Sequence, residues 1–409
     1  MPSFEKVLVV AISTRALFDL EEENRIYHEQ GADAYRAYQR EHEEDILKKG
    51  TAFYLVEALL GLNKLSEERL VEVIIMSKNS PETGIRVLNS IDHYNLDITR
   101  SAFTGSEPLS IYMKPFTVDL FLSRDEEDVQ KTIDSRVAAA ALIYDPPKDY
   151  VADNDSVRIA FDADAVLFSE ESEYIYKTQG MAAFHDNEKT KVQEPLKDGP
   201  YAKVLRMLSE IQRKIQEKHK ASPLRIAILT ARNSPSHKRV LNTLRYWNVQ
   251  VDEAFFLGGI KKDEILKAFK AHIFFDDQEA HLEKAALVVP SGKVPYSTNS
   301  ALRNLDVETL SILKHTFRIP EQNNVITTSD ISKGILRITA GIDFMLPNEA
   351  EQITLVFDNK DYICKYTKRI GRSDLLNVGK RFVIHSNLST GDVLAFTVLS
   401  PGKYSVDKI

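Results

Sequence analysis

Short, predominantly apolar runs recur through the first part of the chain, at residues 7–12, 73–76, 118–122 and 138–144. Apolar positions that follow one another rather than alternate are the pattern of strands covered on both faces, so each run predicts a buried strand. Amphipathic stretches lie between them. Residues 52–62 have helical spacing, the charged segment 19–25 reads as a helix start, and Ser80-Pro81 sets a capping hydroxyl before a first-turn proline. That last helix is expected to run through Val87 and Leu88 toward Tyr94. The pattern returns after residue 150. Residues 157–161, 226–229, 255–257 and 272–275 predict strands, residues 201–218 a helix opened by Gly199-Pro200, and Ser234-Pro235 a further helix start. Alternation at this pitch predicts an α/β fold with a mostly parallel sheet.

The two halves also match residue by residue. At an offset of 149, Ala11 falls on Ala160, Glu21-Glu22 on Glu170-Glu171, Ile26-Tyr27 on Ile175-Tyr176 and Gln30-Gly31 on Gln179-Gly180. After a small insertion the match resumes, with Arg86-Val87-Leu88-Asn89 on Arg239-Val240-Leu241-Asn242. Matches kept in order over about 120 residues imply a tandem duplication of one α/β unit. The expected organisation is a first unit at 1–150, a second at 151–300, a connector at 301–330 with a helix at 306–315, and a last domain at 331–409. In that last stretch, residues 335–339, 353–357, 362–366, 381–384 and 393–399 read as short alternating strands, predicting a small all-β, barrel-like domain.

Composition narrows the class. Hydrophobic residues make up 43% and charged residues 28%, an ordinary globular mixture, and 409 residues exceed what one core usually fills. A net charge of -7 argues against broad affinity for nucleic acid or membranes. No apolar run is long enough to span a bilayer, and the opening Met-Pro-Ser-Phe-Glu-Lys lacks the apolar core of a secretion signal. The single cysteine, Cys364, excludes an intrachain disulfide and any cysteine-rich metal site. A cytoplasmic protein is the expectation.

Chemistry-bearing residues gather at the predicted strand ends of the second unit. Asp162 and Asp164 flank Ala163 after its first strand, Thr230 ends the second and is followed by Ala231 and Arg232, Lys262 sits in a glycine-containing loop, and Asp276-Asp277 ends the last. In an open α/β sheet the carboxyl ends of the strands form the ligand crevice. Several carboxylates converging there repel one another unless a cation neutralises them, and Mg²⁺ fits because it takes hard oxygen ligands and shares them with phosphate. Each residue taken alone has a plainer role open to it: Thr230 as a helix cap, Lys262 as a solvated lysine, the acid pair as a turn. In the first unit the matching positions hold Ser13, Arg15 and Ser123-Arg124, so every carboxylate of the set is gone.

The order Asp162-x-Asp164-x-Val166, Thr230, Lys262, Asp276-Asp277 resembles the four motifs of the haloacid dehalogenase superfamily of phosphatases. More closely, Phe161-Asp-Ala-Asp-Ala-Val-Leu-Phe-Ser169, Leu229-Thr-Ala-Arg232 and His272-Ile-Phe-Phe-Asp-Asp-Gln278 resemble the cytosolic 5'-nucleotidase I family. Ser13-Thr-Arg-Ala-Leu-Phe18 and Asn89-Ser-Ile-x-His93-Tyr94 extend that resemblance into the first unit, and together it covers roughly residues 5–297. It departs at Ala163, where the family usually has Gly. The resemblance implies two haloacid-dehalogenase-like units and an Mg²⁺-dependent hydrolysis of nucleoside 5'-monophosphates, AMP-like in preference, through an aspartyl phosphate. Asp162 would be the nucleophile, Asp164 the general acid and base, and Thr230 and Lys262 the ligands of the phosphoryl oxygens. Asp162, Asp164 through its carbonyl, Asp276 and Asp277 would surround the metal.

The same resemblance sets expectations for the surroundings. Ala231 and Arg232 are expected to face substrate, and an insertion at about 171–222 to form a cap in which Phe184 either stacks on a base or packs internally. A phosphatase for another small ester, and a nucleotide sensor with slow hydrolysis, stay open as alternatives; a homo-oligomer is expected. In the first unit, Arg15 and Arg124, with Ser13, Ser77 and Lys78, imply either a site for a regulatory nucleotide or other anion, or structural salt bridges. Residues 387–396 faintly resemble part of the B3-type DNA-binding pseudobarrel. Lys365, Lys368, Arg369 and Arg372 would form its basic face, although assembly or protein docking is the expected role of this domain.

Overall fold

The computed structural model describes residues 6–148, 150–258, 260–303, 305, 316–320, 324–338, 346, 352–358, 360–369, 373–400 and 402–409. The helix expected at 306–315 lies outside them, as does Arg372. The chain divides into two compact units, one of residues 1–174 and 184–304, the other of residues 175–183 and 305–409.

In chain order the strands of the first unit are β1 (Leu8–Ile12), β2 (Phe18–Asp19), β3 (Lys48–Lys49), β4 (Val71–Ser77), β5 (Arg100–Phe103), β6 (Leu120–Ser123), β7 (Ala139–Ile143), β8 (Val157–Phe161), β9 (Leu224–Thr230), β10 (Glu253–Phe256), β11 (Ile273–Asp276) and β12 (Ser291–Lys293). Apart from the small β2–β3 ribbon they form one sheet, ordered β10-β9-β8-β11-β12-β7-β6-β1-β4-β5. Its central strands are apolar on both faces, as the consecutive apolar runs require, because helices cover both sides of a parallel sheet. Pairing is parallel throughout except where β12 meets β7. The sequence reading sets a unit boundary at residue 150. The antiparallel β12–β7 pairing makes the sheet continuous, and one apolar core holds Leu8, Phe121, Phe161 and Val294 together.

Each half of this sheet has the same chain order, β5-β4-β1-β6-β7 and β10-β9-β8-β11-β12. Backbone details recur at fixed spacing as well. Asn95 and Asn248, Gly105 and Gly258, and Thr117 and Lys270 are pairs 153 positions apart, each with both members in the left-handed region. Gly31 and Gly180, with φ of 87° and 81°, each break a long helix, Glu21–Glu41 and Glu171–Thr190. A side chain at either position would strain that conformation, which glycine adopts freely.

Two helix starts differ from expectation. Ser80-Pro81 opens a 3₁₀ turn, Glu82–Gly84, ahead of helix Ile85–His93, and the helix expected from Ser234-Pro235 begins at His237 and runs to Tyr246. Helix Ala202–Lys218 buries Val204, Leu205, Leu208, Ile211 and Ile215 in the main core. That part of the stretch expected to form a cap at 171–222 is therefore a layer of the α/β core.

The second unit carries β13 (Thr316–Ile319), β14 (Ile335–Ile338), β15 (Gln352–Phe357), β16 (Lys360–Thr367), β17 (Asp374–Asn377), β18 (Leu394–Ser400) and β19 (Lys403–Lys408). They form a barrel-like sheet ordered β13-β18-β19-β15-β16-β17-β14, antiparallel except for β15 with β19, around Leu355, Tyr366, Phe396 and Tyr404. The strand expected at 381–384 is instead helix Gly379–His385. Val378, Phe382 and Ser386 are buried at a spacing of four while Ile384 is exposed, so the burial follows a helical period that the β-branched Val383-Ile384 pair obscures. Among the described residues no helix is long and apolar enough to cross a membrane.

Candidate active site

Strand β8 lies between β9 and β11, all three parallel, so their carboxyl ends share one edge. Asp162 directly follows β8, Thr230 ends β9 and Asp276 ends β11, which brings the three to one crevice. The Asp162 N–H donates to the Phe275 carbonyl at 2.8 Å, fixing the aspartate one residue beyond the strand. The chain then turns tightly. Ala165 takes φ 59°, and the Phe168 N–H returns to the Ala163 carbonyl at 2.9 Å. The left-handed residue is thus Ala165 and not Ala163, so alanine in place of glycine at 163 meets no backbone strain.

Lys262, at the start of helix Asp263–Phe269, places Nζ 2.6 Å from Asp162 Oδ1 and 2.6 Å from Asp276 Oδ2. Asp277 completes a buried triplet in which one oxygen each of Asp162, Asp276 and Asp277 lie within 4.8 Å of one another. Asp276 also accepts from the Gln278 N–H at 2.8 Å and lies 3.1 Å from His281 Nδ1, while the Tyr296 hydroxyl donates to Asp277. Asp277 Oδ1 is buried with no hydrogen-bond partner.

Three carboxylates against one ammonium leave this cluster short of positive charge. Burial pushes Asp162 up to about 7 against the pull of Lys262, with Asp276 and Asp164 adding to the rise. Burial, and then Asp276 and Asp162, hold Asp277 well above the usual carboxylate range. Burial acts the same way on Asp276, yet Lys262 and His281 outweigh it and keep that carboxyl below its ordinary value. Burial opposes the charge on Lys262, but Asp162 and Asp276 raise its pKa above that of a free lysine. An orphaned oxygen among hard oxygen donors, two of them held back from ionising for want of positive charge, is a donor set suited to a divalent cation such as Mg²⁺.

The side chain of Asp164 stands apart from this triplet. Its two oxygens accept from Arg232, Nε at 2.8 Å and Nη2 at 2.5 Å. Arg232 also donates to Glu188, and Glu188 accepts from Arg239 and from Ser172, each at 2.9 Å. Arg232 is only 4% exposed and holds Asp164 through both of these bonds, while neighbouring Ala231 is exposed. The Arg232 guanidinium lies 5.3 Å from the centre of the Phe184 ring, which is itself buried, favouring internal packing for Phe184 over a place under a base. Thr230 Oγ1 accepts the Arg232 N–H at 3.1 Å, which leaves its hydroxyl proton to donate.

Glu188, Arg239, His281 and Tyr296 are site residues that the sequence reading misses. The match of Arg86 to Arg239 is a usable signal for two of them. Arg86 Nε donates to the Asp45 carbonyl and Arg239 Nε to that of Glu194, both at 2.9 Å, and their Nη1 atoms reach Gln39 and Glu188, also an aligned pair. His281 and Tyr296 carry no local pattern that marks them.

In the first half, Ser13, Arg15, Ser77, Lys78 and Arg124 all line one cavity of about 480 Å³. The ion pairs expected as the plainer alternative are present too: Arg15 with Glu21 at 3.0 Å, Arg124 with Glu21 at 3.3 Å, and Lys78 with Asp128 at 2.9 Å.

A parallel sheet whose strand ends gather buried acids, a hydroxyl and a lysine defines an α/β protein with an acidic ligand crevice. This chain belongs to the 5'-nucleotidase family, whose model matches residues 1–301. It is 36% identical over 293 residues to cytosolic 5'-nucleotidase 1B of Homo sapiens, a match covering 69% of this chain and 48% of the relative. The chain thus spans about half the length of that relative. Among solved structures it is similar to a hypothetical Arabidopsis thaliana protein, at 24% identity over 23% of this chain and 88% of that one, with a TM-score of 0.19. An Arabidopsis FUS3–DNA complex matches at 19% identity over 22% of this chain and 93% of that one, with a TM-score of 0.19.

Proposed function

We propose that this chain is an Mg²⁺-dependent 5'-nucleotidase that converts nucleoside 5'-monophosphates, AMP-like in preference, to nucleoside and phosphate in the cytosol. The observation that carries this reading is the convergence of Asp162, Asp276 and Asp277 around Lys262, beside Thr230, at the carboxyl ends of adjacent parallel strands. Membership of the 5'-nucleotidase family and the likeness to a relative named as cytosolic support it.

In this mechanism an Asp162 oxygen bonds to phosphorus as the bond from phosphorus to the 5'-oxygen breaks, giving an aspartyl phosphate. Asp164 hands a proton to the leaving oxygen, then takes one from the water that attacks phosphorus, and phosphate leaves with Asp162 restored. Both Asp164 oxygens accept from Arg232, so the carboxyl must turn away from that guanidinium to move a proton, while Glu188 keeps Arg232 in place. Thr230 and Lys262 donate to the phosphoryl oxygens as charge builds on them. Asp162, Asp276 and Asp277, with the carbonyl of Asp164, would hold Mg²⁺, which supplies neutralisation of the phosphate charge.

The first half is, on this reading, a degenerate second copy of a haloacid-dehalogenase-like unit. Its identical strand order, the left-handed residues at constant spacing and the paired contacts of Arg86 and Arg239 support that origin. Phosphate release from 5'-AMP, 3'-AMP and sugar phosphates, with Mg²⁺ and with chelator, tests the function. Metal-dependent release from the 5'-nucleotide is expected; fast turnover of a sugar phosphate with none of any nucleotide would replace this reading with that of another phosphatase.

A further inference from the structure

The cavity of about 480 Å³ in the first half sits at the carboxyl ends of β1, β4 and β6, which occupy the places in their half that β8, β9 and β11 occupy in the other. Ser13 follows β1 where Asp162 follows β8, Ser77 ends β4 where Thr230 ends β9, and Ser123-Arg124 stands where Asp276-Asp277 does. The cavity is large enough for a small organic ligand. Its strand ends offer hydroxyls and guanidinium groups in place of carboxylates, and the Ser13 hydroxyl is already engaged, accepting the Ala16 N–H as a helix cap. The carboxylates that line the cavity, Glu23, Asp125 and Asp128, are paired with Arg86 and Lys78, and none directly follows β1 as Asp162 follows β8.

The positive groups are arranged for an oxyanion. Arg15 Nη2 and Arg124 Nη1 lie 3.0 and 3.3 Å from the same oxygen, Glu21 Oε1, so two guanidinium groups already converge on one point of negative charge. Glu21 is the outermost of the three, its side chain 47% exposed against 31% for Arg15 and 14% for Arg124. Ion pairs to so exposed a carboxylate are weak, so an arriving phosphate displaces Glu21 at little cost while keeping both arginines. Arg15 Nε is buried in the same wall without a hydrogen-bond partner. Tyr27 and Tyr35 line the cavity as well, their ring centres 5.8 Å apart and nearly perpendicular, which gives a flat ring an aromatic wall.

We infer that this cavity binds a nucleotide without hydrolysing it, the phosphate held between Arg15 and Arg124 in place of Glu21 and the base against Tyr27 and Tyr35. The inference does not depend on the activity proposed for the other half. Calorimetric titration of full-length Asp162→Asn protein with AMP, in chelator, provides the test, with Lys262→Ala added in one arm to suppress binding in the second half. In that arm AMP still binds with one site per chain. Glu21→Gln tightens this site about threefold or more, because the competing anion is removed, whereas Arg15→Ala with Arg124→Ala weakens it by at least about tenfold. Inorganic phosphate and ribose 5-phosphate bind the same site more weakly than AMP. Circular dichroism and thermal unfolding confirm that each variant is folded. Affinity unchanged in a folded double arginine variant, or no tightening with Glu21→Gln, would overturn the site; AMP no tighter than inorganic phosphate would overturn the nucleotide assignment.

Discussion

Lys262 touches two carboxylates and leaves Asp277 with an unpaired buried oxygen, so the site at rest lacks the positive charge to keep all three carboxyls ionised. A direct consequence concerns pH. The Asp162 carboxyl, raised to about 7 from an ordinary value of 3.8, binds its proton more tightly folded than unfolded. By linkage, metal-free protein then loses stability as pH rises from about 4 through about 7, and Asp162→Asn flattens that slope. Thermal unfolding in chelator across pH 5–8 checks this; a wild-type midpoint that climbs over that range would refute the charge assignment. A second consequence concerns Glu188, a fully buried carboxylate holding both Arg232 and Arg239. Glu188→Ala leaves two buried guanidinium groups short of a partner and is expected to cost about 3–5 kcal/mol in denaturant unfolding. A loss under about 1 kcal/mol would mean that solvent or Asp164 compensates. Asp162, Thr230 and Asp276 were legible in the sequence because each stands at the end of an apolar run, and Lys262 because it lies in the glycine-containing loop that follows one. The role of Arg232 was not, because its partner Glu188 lies on a helix 44 residues away.

The loop after β8 shows how an element positions chemistry. Residues 163–167 carry Asp164 through a tight turn, and Gly199 packs against that turn from outside, its N–H donating to the Leu167 carbonyl at 2.9 Å. A Cβ at Gly199 would sit 2.6 Å from the Val166 carbonyl oxygen, against backbone that cannot move aside without shifting Asp164. Gly199→Ala should therefore lower stability by about 1–3 kcal/mol and slow turnover together. Gly61→Ala, where a Cβ meets nothing within 4 Å, is the control and should be neutral or slightly stabilising. Unfolding midpoints and phosphate-release rates of the two variants decide it; equal behaviour would show that the turn is not held by this contact. At this scale the parallel strands were readable from consecutive apolar residues. Helix Gly379–His385 was not, because seven residues give too few turns for its period to outweigh two β-branched side chains.

Across the whole molecule, the two halves of the large sheet share one strand order but carry different residues at the strand ends. The same strand ends carry Asp162, Thr230 and Asp276-Asp277 in one half and Ser13, Ser77 and Ser123-Arg124 in the other. The residue matches between the halves were legible in the sequence. Their union in one sheet was not, since β12 is a three-residue strand, Ser291–Lys293, whose antiparallel pairing with β7 leaves no periodic signature. The barrel-like unit was legible as alternating strands, but β13, β17 and β19 were not, and the sequence pattern alone could not supply the pairing of β13 and β19 with β18 or of β17 with β14 and β16. The proposed hydrolysis rests on Asp162 as the atom donor to phosphorus. Its most direct test is the rate of phosphate release from 5'-AMP with Mg²⁺ by the wild-type chain and by folded Asp162→Asn. A loss of at least about a thousandfold is predicted, as for removal of a covalent nucleophile, and a variant that kept more than about a tenth of the wild-type rate would contradict it.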